Sequence, residues 1–214
     1  MRNRLLVLLA AVAGACLAAA PALAHPHVWV VMKSELAYAP DGSVTGVRHA
    51  WTFDDMFSTF ATQGLEQKTK GVFTREELAP LAEVNMTSLK EFDYFTHGKA
   101  DDKKASFAAP KEYWLEFKNN ELTLHFTLPL SAPVKAKALS FEVYDPSYYV
   151  DFAFAEQDPV KLVGAPVACK ASVSKPGEMT NELAQLLAQI PAGQQIPANS
   201  YGAQFANKVT IRCP

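Results

Sequence analysis

The chain has 214 residues, 49% of them hydrophobic, and its 20 Lys and Arg against 22 Asp and Glu leave a formal net charge of −2. A slightly acidic chain without clustered cations excludes a nucleic-acid binder that works by neutralising phosphates. The length allows one sizeable core and is marginal for two.

The amino end reads as an export signal. Arg2 and Arg4 form a positive start, Leu5 to Ala20 is apolar and uncharged, and Ala22-Leu23-Ala24 puts small residues where a signal peptidase reads. Cleavage after Ala24 is expected to remove residues 1–24 and leave 190 residues, His25 to Pro214, as a single periplasmic domain. Losing Arg2 and Arg4 moves the net charge from −2 to −4. Two other readings stand beside this one. A membrane anchor needs roughly 20 apolar residues, more than the run supplies before Pro21. Cys16 raises a lipidated amino end, although Ala13-Gly14-Ala15 before it lacks the usual leucine. No second long apolar run follows, so no membrane span is expected after cleavage.

The first predicted element is a long hairpin, "HVWVVMKSELAYAPDGSVTGVRHAWTFDD", rich in β-branched and aromatic residues. Pro40-Asp41-Gly42 marks its turn, with a type I turn on Pro40-Asp41 and Gly42 forming a bulge. A three-residue loop flanked by Ala39 and Ser43 faces His27 with Asp55 and Val28 with Asp54. A loop one residue shorter exchanges the two aspartates, because a one-residue slip flips faces. Asp54 or Asp55 caps a short helix carrying Met56, Phe57 and Phe60, ended near Gly64. Thr74 and Glu77 form a capping box that opens a helix to about Phe92, with Pro80 tolerable only if the first turns are distorted.

The middle of the chain is strand-rich. "EYWLEFKNNELTLHFTLPL" predicts a second hairpin turning at Asn119-Asn120. "LSFEVYD", "YYVDFAFAE" and "VACKASVSK" predict three more strands, and "NKVTIRC" a last one. Between them "EMTNELAQLLAQI" is an amphipathic helix with Leu183, Leu186, Leu187 and Ile190 on one face, followed by a loop from Pro191 to Ser200. The pattern is α+β: a mostly antiparallel β-sheet with a few helices. In an exported chain the two mature cysteines, Cys169 and Cys213, read as a disulfide bond rather than as two free thiols.

Two of the five histidines flank Pro26 at the processed end. After cleavage His25 carries an imidazole and a free α-amine, and His27 lies on the same side of an extended chain. Borderline metals such as Zn2+, Ni2+ and Cu2+ favour such nitrogen donors. Pro26 has no N–H, which rules out the amino-terminal copper and nickel chelate that uses a deprotonated second amide. The candidate metal ligands are therefore His25 and His27 with Asp55 or Asp54 as a carboxylate ligand or orienter. The alternative is a solvated tail beside an aspartate that only caps a helix. His49 falls about six residues along the hairpin from His27, roughly 20 Å, and reads as a surface or cross-strand residue. His125 reads as a satisfied core histidine and His97 as a turn histidine.

"EQKTKGVFTREE" has the outline of an EF-hand loop, with Glu66 at its first position, Gly71 at its glycine and Glu77 at its twelfth. Lys68 and Lys70 occupy positions that need carboxylates, so this EF-hand-like loop is degenerate and no Ca2+ is expected. No nucleophile elbow, zinc-protease helix or phosphate loop is present, and no enzymatic activity is expected. Tyr144, Tyr148 and Tyr149 with Asp145 and Asp151 form an aromatic-acidic patch, suited either to binding or to packing.

Taken together, "HPHVWV", "WTFDDMFSTFATQGL", "TREELAPLAEVN", "YWLEF" with "LTLHFTLPL", "EVYDPSYYVDFAFAE" and "YGAQFANKVTIRCP" resemble the exported bacterial family known as domain of unknown function 1007. The resemblance covers the mature chain. It implies a periplasmic component of a transport system for a transition metal, with zinc acquisition as the role of some members. It also implies an inner-membrane metal permease of the nickel/cobalt-transporter type as partner. His25 and His27 match the family's opening histidines, and Asp54 and Asp55 fall in or beside its Trp51–Asp54 segment. Relatives carry a fuller acidic loop where this chain has Lys68 and Lys70. Two alternatives remain: a metal-independent interaction module built on the patch around Tyr148, and a solute-binding component. The second is disfavoured by a chain short for two lobes and without a linker.

Overall fold

A computed structural model describes residues 26–177, 180–187, 189 and 201–214 of the chain. The expected signal peptide, Cys16, His25, Ile190 and the loop 191–200 lie outside the described residues.

Alternation builds the first hairpin. In β1, Val28–Tyr38, the side chains of Val28, Val30, Met32, Ser34 and Leu36 point into the core while Trp29, Val31 and Lys33 point out. In β2, Val44–Phe53, the inward set is Val47, His49, Trp51 and Phe53. The predicted three-residue turn is present: Ala39 N–H donates to Ser43 O at 2.8 Å, and Gly42 takes φ +81°. The Asp41 carboxylate accepts from both the Ser43 N–H and its hydroxyl. A bulge then intervenes. Tyr38 faces Val44, but Ala37 faces Gly46, so Thr45 is an extra residue in β2. Beyond it every pair is displaced by one, and Val30 lies opposite Phe53.

Asp54 caps α1, Asp55–Thr62, accepting from the Phe57 N–H. Thr74 and Glu77 cap α2, Arg75–Lys90, reciprocally, as predicted; the helix passes through Pro80 and ends two residues before Phe92. The second hairpin joins β5, Tyr113–Lys118, to β6, Glu121–Val134, through Asn119 and Asn120, both at positive φ. Two short strands that the sequence pattern did not reveal precede it: β3, Thr96–Ala100, and β4, Lys103–Ala105. After it come β7, Ala138–Val143, β8, Val150–Phe154, β9, Val160–Val163, and β10, Lys170–Ser174. The short helix α3, Asn181–Leu187, and the strand β11, Asn207–Arg212, complete the described elements.

The strands form two sheets. The first has the order β5-β6-β2-β1-β8, with β9 pairing farther along the same edge of β1; the second has the order β10-β11-β7-β3-β4. The architecture is α+β with 45% strand, and the pairing is antiparallel except that β8 and β9 both run parallel to β1. The buried side chains of Met32, Trp51 and Phe126 from one sheet and Phe141, Val209 and Ile211 from the other belong to one hydrophobic cluster. Cys169 and Cys213 form the expected disulfide, tying the segment before β10 to the residue just after β11.

Candidate functional site

The bulge at Thr45 decides what surrounds His27. Downstream of it Asp54, not Asp55, reaches the start of β1: Asp54 N–H donates to Trp29 O, and Trp29 N–H donates to Asp54 Oδ2 at 2.9 Å. The other oxygen of the same carboxylate accepts from the Phe57 N–H at 2.8 Å. Asp54 thus clamps the strand two residues from His27 while it caps α1. The expected facing of His27 with Asp55 is not formed. Asp55 leaves with the helix and, together with Asp54, borders a cleft of about 620 Å³ walled by Thr59, Gln67, Asn120 and Glu121.

On the opposite flank of β1 lies a neighbour that local pattern reading did not supply. The parallel strand β8 aligns Val28 with Val150 and Trp29 with Asp151. His27 N–H donates to Tyr149 O at 2.9 Å, and its imidazole stacks on the Tyr149 ring, centroids 4.7 Å apart and planes 28° from parallel. Because Val30 and Phe152 point inward, Trp29 and Asp151 point to the outer face, while Tyr149, just before β8, stacks on His27 and also packs against the core. The Asp151 carboxyl is half-buried, and that burial pushes its pKa up against a hydrogen bond from the Tyr148 hydroxyl. Burial, reinforced by the Asp151 charge, pushes Tyr148 up to about 12.

Asp145 organises this flank. Its carboxylate accepts from the Ser147 N–H and hydroxyl, both at 2.8 Å, and from the Val150 N–H at 3.0 Å. That closes the turn presenting Tyr148, at φ +58°, and Tyr149. Tyr144 and Asp145 are buried, and Tyr148 packs on Phe205, so much of the aromatic-acidic patch is structural.

The remaining histidines are apart from this corner. His49 is buried, correcting its assignment to the surface: it faces Ser34, whose Oγ lies 2.9 Å from Nδ1, and Thr96 Oγ1 lies 3.4 Å from Nε2. Desolvation lowers its pKa to about 3. His125 is partly buried rather than a satisfied core histidine: it stacks on Trp114, and its buried Nε2 lies 3.4 Å from Glu116 Oε2 without a hydrogen bond. His97 sits in β3 rather than in a turn, its ring packs tilted against Tyr144, and burial is the chief cause that lowers its pKa.

In the EF-hand-like loop both oxygens of Glu77 are engaged by backbone, Oε1 by the Lys68 N–H and Oε2 by the Thr74 N–H. These bonds lower its pKa and close the loop on itself. Among the described residues no three His, Cys, Asp or Glu side chains are grouped to hold a metal. His25, the other histidine of the expected donor set, lies outside the described residues. No helix among the described residues is long and apolar enough to cross a membrane.

A two-sheet α+β protein with a histidine-bearing strand end is the class that these features define. Residues 10–213 match the family described as "Protein of unknown function (DUF1007)", and the chain belongs to that family. It is 25% identical over 195 residues to an uncharacterised protein of Haemophilus influenzae, covering 89% of this chain and 92% of that one. It is 30% identical over 93 residues to an uncharacterised 15.5 kDa protein of Spirochaeta aurantia, covering 43% of this chain and 66% of that one.

Proposed function

We propose that this chain is a single-domain periplasmic accessory protein that binds a transition metal at its processed amino end and works with an inner-membrane metal permease. Zinc suits the donors best, with nickel, cobalt and copper following. The supporting observation is the corner at the start of β1. His27 stands on an anchored strand, its ring against Tyr149 and the backbone beside it clamped by Asp54. An imidazole held in one orientation loses little freedom on binding a metal, which favours affinity. His25, which lies outside the described residues, would add its imidazole and α-amine. Asp54 acts as an orienter, since both of its oxygens already accept backbone N–H groups.

Zinc titration calorimetry on protein that begins at His25 tests this reading. The double variant His25→Ala plus His27→Ala is expected to lose affinity by a factor of roughly 100 or more, since each imidazole is a direct ligand. Equal affinity in the double variant rejects the site. A residual tag ahead of His25 blocks the α-amine and is expected to weaken binding.

A further inference from the structure

We propose that the outer face of the first sheet carries a separate ligand site, a slot above Ala50 that takes a small planar aromatic acid between His125 and Lys33. One row of paired residues builds it. Trp114 faces His125 across β5 and β6, His125 faces Ala50 across β6 and β2, and Ala50 faces Lys33 across β2 and β1. Met32, Trp51 and Phe126, each next in sequence to a member of the row, point into the core, so the row projects from the opposite face.

The rings of Trp114 and His125 are stacked, 9° from parallel with centroids 4.8 Å apart. That separation is the spacing of neighbouring strands, about 4.8 Å, so both rings stand upright on the sheet with their planes across the row. The next place in the stack lies above Ala50, where only a methyl group rises. Lys33 follows one strand farther on. The imidazole and the Lys33 stem therefore bound a gap of two strand spacings, roughly 10 Å, with room for a flat ring stacked on His125. A cavity of about 300 Å³ occupies this place, and its lining includes Lys33, Glu35, Arg48, Ala50, Trp114 and His125. That volume is at the small end for ligand pockets.

The stacking wall is built before any ligand arrives. The Arg75 guanidinium, at the start of α2, lies 4.5 Å from the Trp114 ring centroid, and Trp114 in turn covers one face of His125. A ring held in this way loses little freedom on binding, while 24% of the His125 side chain remains exposed. The charges around the slot favour an acid. Arg48 and Glu35 pair at 3.4 Å one place along the strands, and their charges balance. Lys33 makes no ion pair among the described residues and is the cation left to meet a carboxylate. Glu116, at the Nε2 edge of His125, directs the acid group of a ligand away from itself and toward Lys33.

The bland alternative is an open sheet face with nothing to bind. Benzoate and its uncharged counterpart benzamide separate the two, each titrated into the chain beginning at His25 and followed by amide NMR shifts. Benzoate is expected to give saturable shifts centred on Lys33, Ala50 and His125. Ala50→Leu fills the slot and is expected to weaken benzoate at least roughly tenfold. Lys33→Gln keeps the stem and removes the charge, with an expected loss of roughly threefold for benzoate and none for benzamide. Both substitutions are on the outer face, and the spectra of the variants show that the fold is kept. Absence of saturation in wild type, shifts centred away from this row, or undiminished binding by Ala50→Leu overturns the site. Benzoate binding unaltered by Lys33→Gln overturns the choice of an acid.

Discussion

Acid should weaken this fold through one buried histidine. His49 lies between the sheets, ringed by Trp51, Phe126 and Phe141, with Ser34 Oγ at Nδ1 and Thr96 Oγ1 at Nε2. The Thr96 hydroxyl donates to Tyr94 O at 2.9 Å, so Thr96 can only accept from the ring. The imidazole is then protonated at Nε2 and accepts the Ser34 hydroxyl at Nδ1, a neutral tautomer with both nitrogens used. A second proton would place a charge in the core with no carboxylate paired to it, and the desolvation of that charge takes the pKa down to about 3.

The linkage has a definite sign. In the unfolded chain His49 titrates near 6.5, so below that pH the unfolded state binds a proton that the folded state refuses. Stability is undiminished above pH 6.5 and falls as the pH drops through the window from 6.5 to about 3. Between pH 7 and pH 5 the loss from this residue is about 2 kcal/mol, at 1.36 kcal/mol per unit. For a chain of this size that is roughly 4–8 °C in Tm. Urea unfolding at both pH values, on wild type and His49→Gln, isolates it. Glutamine keeps a donor and an acceptor but does not titrate, and carboxylates and His97 act alike in both proteins. Wild type is expected to lose about 2 kcal/mol more than the variant. Equal losses in the two proteins would refute a neutral, buried His49.

Reducing the Cys169–Cys213 disulfide, whose cysteines are 44 residues apart, is expected to lower stability by about 4 kcal/mol in the chain-entropy treatment. Melting with and without reductant measures this, and an unchanged Tm would contradict a stabilising crosslink. Asp54→Ala removes a helix cap and a hydrogen bond to the exposed Trp29 N–H, and is expected to cost about 1–2 kcal/mol by urea titration. A loss below roughly 0.5 kcal/mol would show that the clamp on β1 contributes little.

Local chemistry made much of this fold legible. Pro40-Asp41-Gly42 dictates a three-residue turn, Asn119-Asn120 supplies two residues tolerant of positive φ, and Thr74 with Glu77 announces α2. Each signal lies within a few residues of the structure it sets. β3 and β4 escaped because Gly98 and three lysines, residue types depleted in strands, fill them, and β9 because four residues are too few for alternation to register. Thr45 escaped for another reason. A bulge has no obligatory residue, yet inserting one residue into β2 moved every later pair and exchanged Asp55 for Asp54 beside β1. Met56 and Phe60 fit the helical spacing but are 63% and 74% exposed, because Phe57 alone of the three packs on Phe53 beneath α1.

The candidate site was half legible for a physical reason. β1 has two flanks. One is its hairpin partner β2, reached through a short turn, so spacing alone could bring an aspartate near His27, although the bulge at Thr45 made it Asp54 rather than the expected Asp55. The other is β8, which pairs in parallel with β1 from more than a hundred residues along the chain. A parallel pair needs a crossover rather than a turn, and no local residue announces where the crossover lands. Tyr149 and Asp151 were visible as an aromatic-acidic run, but not as the neighbours of His27.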